Sequence, residues 1–221
     1  MESPTPAKRK VFLVDDHPMV REHLAQLINR EPDLEICGEA EDAADALSGI
    51  AQAQPDIAIV DISLKKSHGL ELIKNVHAIQ PELPILVLSM HDESLYAERV
   101  LRAGALGYMT KQEATRNVLT ALRRVLDGQI YASEKIAARL MKKAVSGQAE
   151  SSPTDALTDR ELEVFQLLGK GLRSREIAQQ LNISIKSVDT YRARIKDKLN
   201  VRNSTELLLQ ALQWVHQVGH N

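Results

Sequence analysis

Five polar residues, far apart along the chain, each follow a short apolar run. Asp15 and Asp16 come after Val11–Val14, Asp61 after Ile57–Val60, Ser89 after Ile85–Leu88, and Lys111 just beyond Gly107–Met109. Clustered carboxylates repel one another and favour a cation between them, and an oxygen-only set with few protein ligands is what magnesium accepts while keeping several waters. Asp15, Asp16 and Asp61 are therefore candidate magnesium ligands. A carboxylate such as Asp61, held beside a metal and a lysine, can attack phosphorus to give an acyl phosphate. The metal and Lys111 would neutralise oxygens of the transferred group, and Ser89 can hydrogen-bond another.

These residues meet only if the apolar runs lie side by side. Together with Leu34–Cys37 they read as five strands, and amphipathic stretches separate them: Met19, Leu24, Leu27 and Ile28 recur at helical spacing, as do Leu70, Ile73, Val76 and Ile79. A βα unit repeated five times demands right-handed crossovers and a parallel sheet covered on both faces. The expected fold of this half is a five-stranded, doubly wound, flavodoxin-like α/β domain, whose ligands bind beyond the carboxyl ends of the strands. Taken singly the residues have plainer readings. Asp16 before Pro18 suits a helix cap, His17, His68, His77 and His91 read as surface or capping residues, and Cys37 as a small buried apolar residue.

The 221 residues, 43% hydrophobic and 26% charged with a net charge of -2, are enough for two ordinary domains and exclude a disordered or collagen-like chain. A single cysteine, Cys37, excludes an internal disulfide and Cys-rich zinc sites, which fits a reducing cytoplasm. Neither an apolar leader core before Val11 nor a run approaching the roughly 18 residues of a membrane span is present, so no membrane association is expected. A helix over Ser133–Val145 and the polar stretch Ser146–Asp155 read as a linker. The expected layout is a first domain over 9–127, a linker over 128–154 and a second domain over 155–221. The last part carries ten basic against eight acidic residues, leaving 18 against 22 before it.

The second domain reads as four helices. Thr158 and Glu161 form a capping box before Leu162, Phe165 and Leu168. Ser174 and Glu176 open a short helix with Ile177, Ala178 and Leu181 inward, Ser184 caps a third running to about Leu199, and Ser204–Val218 makes a fourth. Two short helices joined by a tight turn, the second basic, are a helix-turn-helix candidate. On the third helix Val188, Ile195 and Leu199 share the core side, and Ser184–Arg202 holds six basic residues against two acidic, a footprint for DNA phosphates. Asp189, Thr190 and Ala193 are the expected base readers, because Asp can accept from cytosine N4 and Ala or Thr can touch a thymine methyl. Lys186, Arg192, Arg194, Lys196 and Lys198 are the expected phosphate clamps.

The segments VFLVDDHPMVR, IAIVDISL followed by HGLEL, ILVLSMHDE and AGALGYMTK resemble the receiver domain of bacterial two-component response regulators. The resemblance covers roughly residues 9–127. It implies Asp61 as phosphoacceptor, Asp15 and Asp16 with the Ser63 backbone carbonyl as magnesium ligands, Ser89 as switch hydroxyl, Tyr108 as rotamer switch and Lys111 as phosphate contact. Lys65, followed by Lys66, stands where the family usually has proline. The stretch from Leu157 to Leu207 resembles the LuxR-type helix-turn-helix, and the pairing resembles the NarL/FixJ family; Tyr191 replaces a commoner histidine and Asp189 puts an acid on the reading face. What the resemblance implies is a transcription factor, not an enzyme, phosphorylated by a partner histidine kinase and binding double-stranded DNA as a homodimer when phosphorylated. An aspartyl phosphatase is the enzymatic rival, but it needs a second acid where Ser63 stands. A second rival keeps DNA binding and replaces phosphorylation by control from a partner protein.

Overall fold

The computed structural model describes residues 7–64, 69–90, 93–134, 136–138, 140, 141 and 153–219. The chain divides into two compact units, 1–142 and 143–221.

The first unit alternates β1 (Arg9–Val14), α1 (Pro18–Asn29), β2 (Leu34–Ala40), α2 (Ala43–Ala53), β3 (Ile57–Asp61), α3 (Gly69–Ile79), β4 (Ile85–Ser89), α4 (Glu93–Arg102), β5 (Gly107–Thr110) and α5 (Lys111–Leu126). All strands are parallel, in the order β2-β1-β3-β4-β5. This is the doubly wound sheet that the strand spacing implies. Strand alternation sends Val11, Leu13, Ile57, Ile59, Leu86, Leu88 and Met109 into one core with Leu24 and Ile28 of α1 and Val118, Leu122 and Val125 of α5. The residues between them, Phe12, Val14, Ala58, Val60 and Val87, are buried on the other side. The reversal of winding order between β1 and β3 opens a crevice at their carboxyl ends, where such sheets bind ligands.

Three boundaries differ from expectation. The sequence pattern reads a helix from about Thr115 to Leu126, but α5 begins at Lys111 because the Thr110 hydroxyl accepts the Glu113 N–H at 3.2 Å, which caps the helix one residue after β5. Strand β2 continues to Ala40, and because it is an edge strand Cys37 is only half-buried, its thiol donating to the Val11 carbonyl at 3.5 Å. Past α5, Tyr131 forms a parallel bridge to Gly107: Tyr108 N–H donates to the Tyr131 carbonyl at 2.8 Å and Tyr131 N–H to the Leu106 carbonyl at 2.9 Å. The Tyr131 hydroxyl donates to Glu113 at 2.9 Å, and the Ser133 N–H to Glu93 at 2.8 Å. Of the helix expected over Ser133–Val145, Ser133 precedes the helix, residues 134, 136–138, 140 and 141 are helical, and the rest lie outside the described residues.

The second unit opens with a 3-10 turn, Pro153–Ala156, followed by α6 (Asp159–Gly169), α7 (Ser174–Gln180), α8 (Ile185–Leu199) and α9 (Ser204–Gly219). The Thr158/Glu161 capping box forms as the sequence dictates. Gly169 lies against the Ala211 carbonyl of α9, closer than any Cβ would allow, so glycine there lets α6 and α9 pack tightly. The Phe165 and Trp214 rings meet at 5.5 Å between centroids, tilted by 53°, across the same contact.

Candidate functional site

Four strand ends converge in the first unit. Asp15, Asp16, Asp61 and Ser89 are all buried, from 0% to 6% exposed, which is rare for carboxylates without a partner. Asp61 ends β3, every residue of which is buried, and its Oδ1 accepts the Ser63 N–H at 3.0 Å. Gly69 packs against the Asp61 peptide closer than a Cβ would permit, so the glycine of the HGLEL segment keeps that strand end accessible to the chain that follows. Ser89 ends β4 and pairs with Thr110 on β5.

Lys111 Nζ lies 2.8 Å from Asp61 Oδ2 and 2.6 Å from Asp15 Oδ2. Burial raises the pKa of the Asp61 carboxyl and the nearby Asp15 charge adds to this, while Lys111 acts against both. Lys111 titrates above the ordinary lysine value: burial works against its charge, but Asp61 and Asp15 outweigh it. Tyr108, on the opposite side of β5 from Met109, is 1% exposed.

Sequence reasoning assigned His17 to the surface or to capping. It holds the N-cap position of α1 without a side-chain cap bond, and Asp15 rather than Asp16 makes the local turn, its Oδ1 accepting the His17 N–H at 2.9 Å. The half-exposed His17 ring turns into the acidic cluster, with Nδ1 2.7 Å from Asp16 Oδ1, 3.1 Å from Asp15 Oδ1 and 4.0 Å from Asp61 Oδ2. Asp15, Asp16, His17 and Asp61 bring ligand atoms within 4.8 Å of one another. The signal for His17 was its place in the β1–α1 turn itself. Arg21, one helical turn on, donates to the Asp15 carbonyl at 2.5 Å and pairs with Glu41 at 2.7 Å, fixing the loop's backbone. Lys65, Lys66, His68 and His91 lie outside the described residues.

In the second unit α8 buries Val188 and Ile195 and exposes Lys186, Asp189, Thr190, Ala193, Arg194 and Lys198, with Arg192 and Lys196 half-buried. Several of these side chains are engaged within the unit. Ser174 of α7 donates to Asp189 at 3.2 Å and receives Arg192 at 2.7 Å, tying the two helices of the motif together. Lys198 lies 2.7 Å from the buried Glu161, so its charge answers that carboxylate before any phosphate. Lys186, Thr190, Ala193 and Arg194 remain on the exposed face, and Thr190 donates its hydroxyl to the Lys186 carbonyl at 2.9 Å.

Residues 11–123 match the response regulator receiver domain, and residues 155–211 match the bacterial regulatory proteins of the luxR family. Response regulator GacA of Pseudomonas aeruginosa is 32% identical over 92% of this chain and 95% of its own length. The oxygen regulatory protein NreC of Staphylococcus carnosus is 34% identical over 92% and 97%. The chain belongs to the NarL/FixJ family of response regulators. Among solved structures, this regulator resembles RcsB from Salmonella enterica serovar Typhimurium bound to promoter P1flhDC in the presence of phosphomimetic BeF3-. The TM-score is 0.59 and the identity 27%, over 93% of this chain and 98% of that one. No helix among the regulator's described residues is long and apolar enough to cross a membrane.

Proposed function

We propose that this response regulator accepts a phosphoryl group on Asp61 from a partner histidine kinase and thereby controls its dimerisation and its binding to double-stranded DNA in the cytoplasm. The observation that carries the reading is the convergence of Asp15, Asp16, Asp61 and Lys111 at one sheet edge. An Asp61 carboxylate oxygen attacks phosphorus, the phosphorus–nitrogen bond to the kinase histidine breaks, and an acyl phosphate forms. Lys111, drawn from its carboxylate partners, meets the added negative charge, and the Ser89 hydroxyl hydrogen-bonds a phosphoryl oxygen. The buried carboxylate oxygens of Asp15, Asp16 and Asp61 fit magnesium, with the Ser63 carbonyl as a further ligand, and when bound the ion supplies charge neutralisation on the phosphoryl oxygens. Ser63, with no carboxyl to act as a second acid, favours a stoichiometric switch over a turnover enzyme. Ser89 and the buried Tyr108 are the groups whose arrangement the phosphoryl group would shift.

Helix α8 is the proposed reader of the major groove. Asp189, Thr190 and Ala193 would meet base edges, with Lys186, Arg192, Arg194 and Lys196 toward phosphates, while Lys198, expected from the sequence to be a further clamp, is held by Glu161. The test is intact-mass analysis after incubation with magnesium and acetyl phosphate, alongside DNA-binding and sizing assays. Wild type is expected to gain one phosphoryl group, dimerise and bind DNA more tightly, and Asp61→Asn to do none of these. Equal responses from the two proteins overturn the mechanism and favour control by a partner protein.

A further inference from the structure

We propose that Ser174 is a positioning residue for base readout. Its hydroxyl keeps Asp189 and Arg192 of α8 from pairing with each other, so the carboxylate can accept from a cytosine amino group and the guanidinium can meet a phosphate. The inference rests on the reading of α8 proposed above and names the group that sets its specificity. Asp189 and Arg192 stand at i and i+3, neighbours on the helix surface, where opposite charges ordinarily pair directly. Among the described residues they meet through Ser174 instead: its hydroxyl donates to Asp189 Oδ1 at 3.2 Å and accepts from Arg192 Nη1 at 2.7 Å. A direct pair would withdraw the acid from the reading face and neutralise the clamp in one step.

The serine is available for this because the start of α7 is closed by other groups. Arg173 holds the N-cap position and its N–H donates to Glu176 Oε2 at 2.7 Å, so Ser174 falls one residue inside the helix. A serine hydroxyl has one proton to give and lone pairs to accept with. Here the proton goes to Asp189 and a lone pair to Arg192, and both bonds are of the stronger, charge-assisted kind. Asp189 keeps Oδ2 and the rest of Oδ1 for an amino donor, and Arg192 keeps its remaining N–H groups. Ser174 and Arg192 are half-buried while Asp189 is exposed, so the held end of the relay is the inner one and the carboxylate is the end offered outward.

The test uses the full-length protein treated with magnesium and acetyl phosphate, and a duplex selected with it from random-sequence DNA. Binding isotherms are measured on that duplex and on each single base-pair variant of it. Asp189→Ala is expected to lose a preference for C·G of about tenfold at one position, the worth of one specific base contact. Ser174→Ala should cut the preference at that same position to about threefold or less and leave the others, while Ser174→Thr, which keeps the hydroxyl, should retain it. Adding Ser174→Ala to Asp189→Ala should cost that position nothing more. A preference that survives Ser174→Ala, or that Ser174→Thr loses as fully as alanine does, overturns the positioning role. So does an equal loss at every position, which is what a merely loosened contact between α7 and α8 gives. If Asp189→Ala alters no position, the base-reading assignment itself falls, and the role of Ser174 with it.

Discussion

The Lys111 ammonium is shared between Asp61 Oδ2 at 2.8 Å and Asp15 Oδ2 at 2.6 Å, so one cation at the start of α5 holds the ends of β1 and β3 together. Removing it leaves two buried carboxylates facing each other. Lys111→Met is expected to destabilise the first unit by about 3 kcal/mol or more in metal-free buffer, since breaking a buried pair strands its partners. Urea unfolding checks this through a lower midpoint at unchanged slope. A midpoint within experimental error of wild type would mean the carboxylates do not need the lysine.

Asp61 weighs against the fold at neutral pH. Its folded pKa is raised from the ordinary 3.8 by burial, so its contribution is fully present below that value and lost as pH rises through the raised one. Asp61→Asn should therefore raise the thermal midpoint at pH 7 by a few degrees, on the order of 1 kcal/mol, with the gap closing toward pH 3. Metal-free thermal scans across that range are the measurement. A gap that is constant with pH would point away from ionisation as its cause.

Glu161 has the opposite sign. Burial pushes its carboxyl up, but Lys198 and the Thr158 bonds together hold it below the ordinary 4.5. Its stabilisation is present above that value and disappears as pH falls through the lowered one. Trp214, the single tryptophan, packs on Phe165 and reports on this unit. Lys198→Met should lower stability by about 1–3 kcal/mol and move the acid transition seen in Trp214 fluorescence to higher pH.

DNA binding should separate the basic residues of α8 by their partners. Lys186→Ala is expected to weaken binding to all sequences and reduce the salt slope by about 0.9, the value of one phosphate contact. Asp189→Ala should alter sequence preference with little change in slope. Lys198→Met, already committed to Glu161, is expected to leave the slope as it was. Binding isotherms at several salt concentrations distinguish the three.

The sheet was legible because buried parallel strands read as continuous apolar runs, and Ile57–Val60 and Ile85–Leu88 allow no other role at that length. The carboxylates and Lys111 were legible for the same reason: a polar residue ending such a run must lie at the sheet's edge. His17 was not, because a residue in a turn takes its direction from backbone angles that Pro18 and Asp15 set jointly, and neither shows in side-chain periodicity. The start of α5 was missed because Thr110 serves both as strand end and as cap. Lys198 and Arg192 looked like free cations on the helical wheel. Their partners, Glu161 and Ser174, come from other helices, and only packing brings them near.

The short pairing of Tyr131 with β5 bears on where the first half of this protein can be severed. Ending the chain soon after Leu126 would strip the bridge at Gly107, uncover the Tyr108 N–H and Leu106 carbonyl, and take away Ile136, which is 2% exposed. A bare outer strand of this kind is a template for another chain. A fragment ending near residue 127 is expected to self-associate in sedimentation, and one carried through residue 141 to do so less. A stretch that composition marks as connecting chain thus serves as the hem of the sheet.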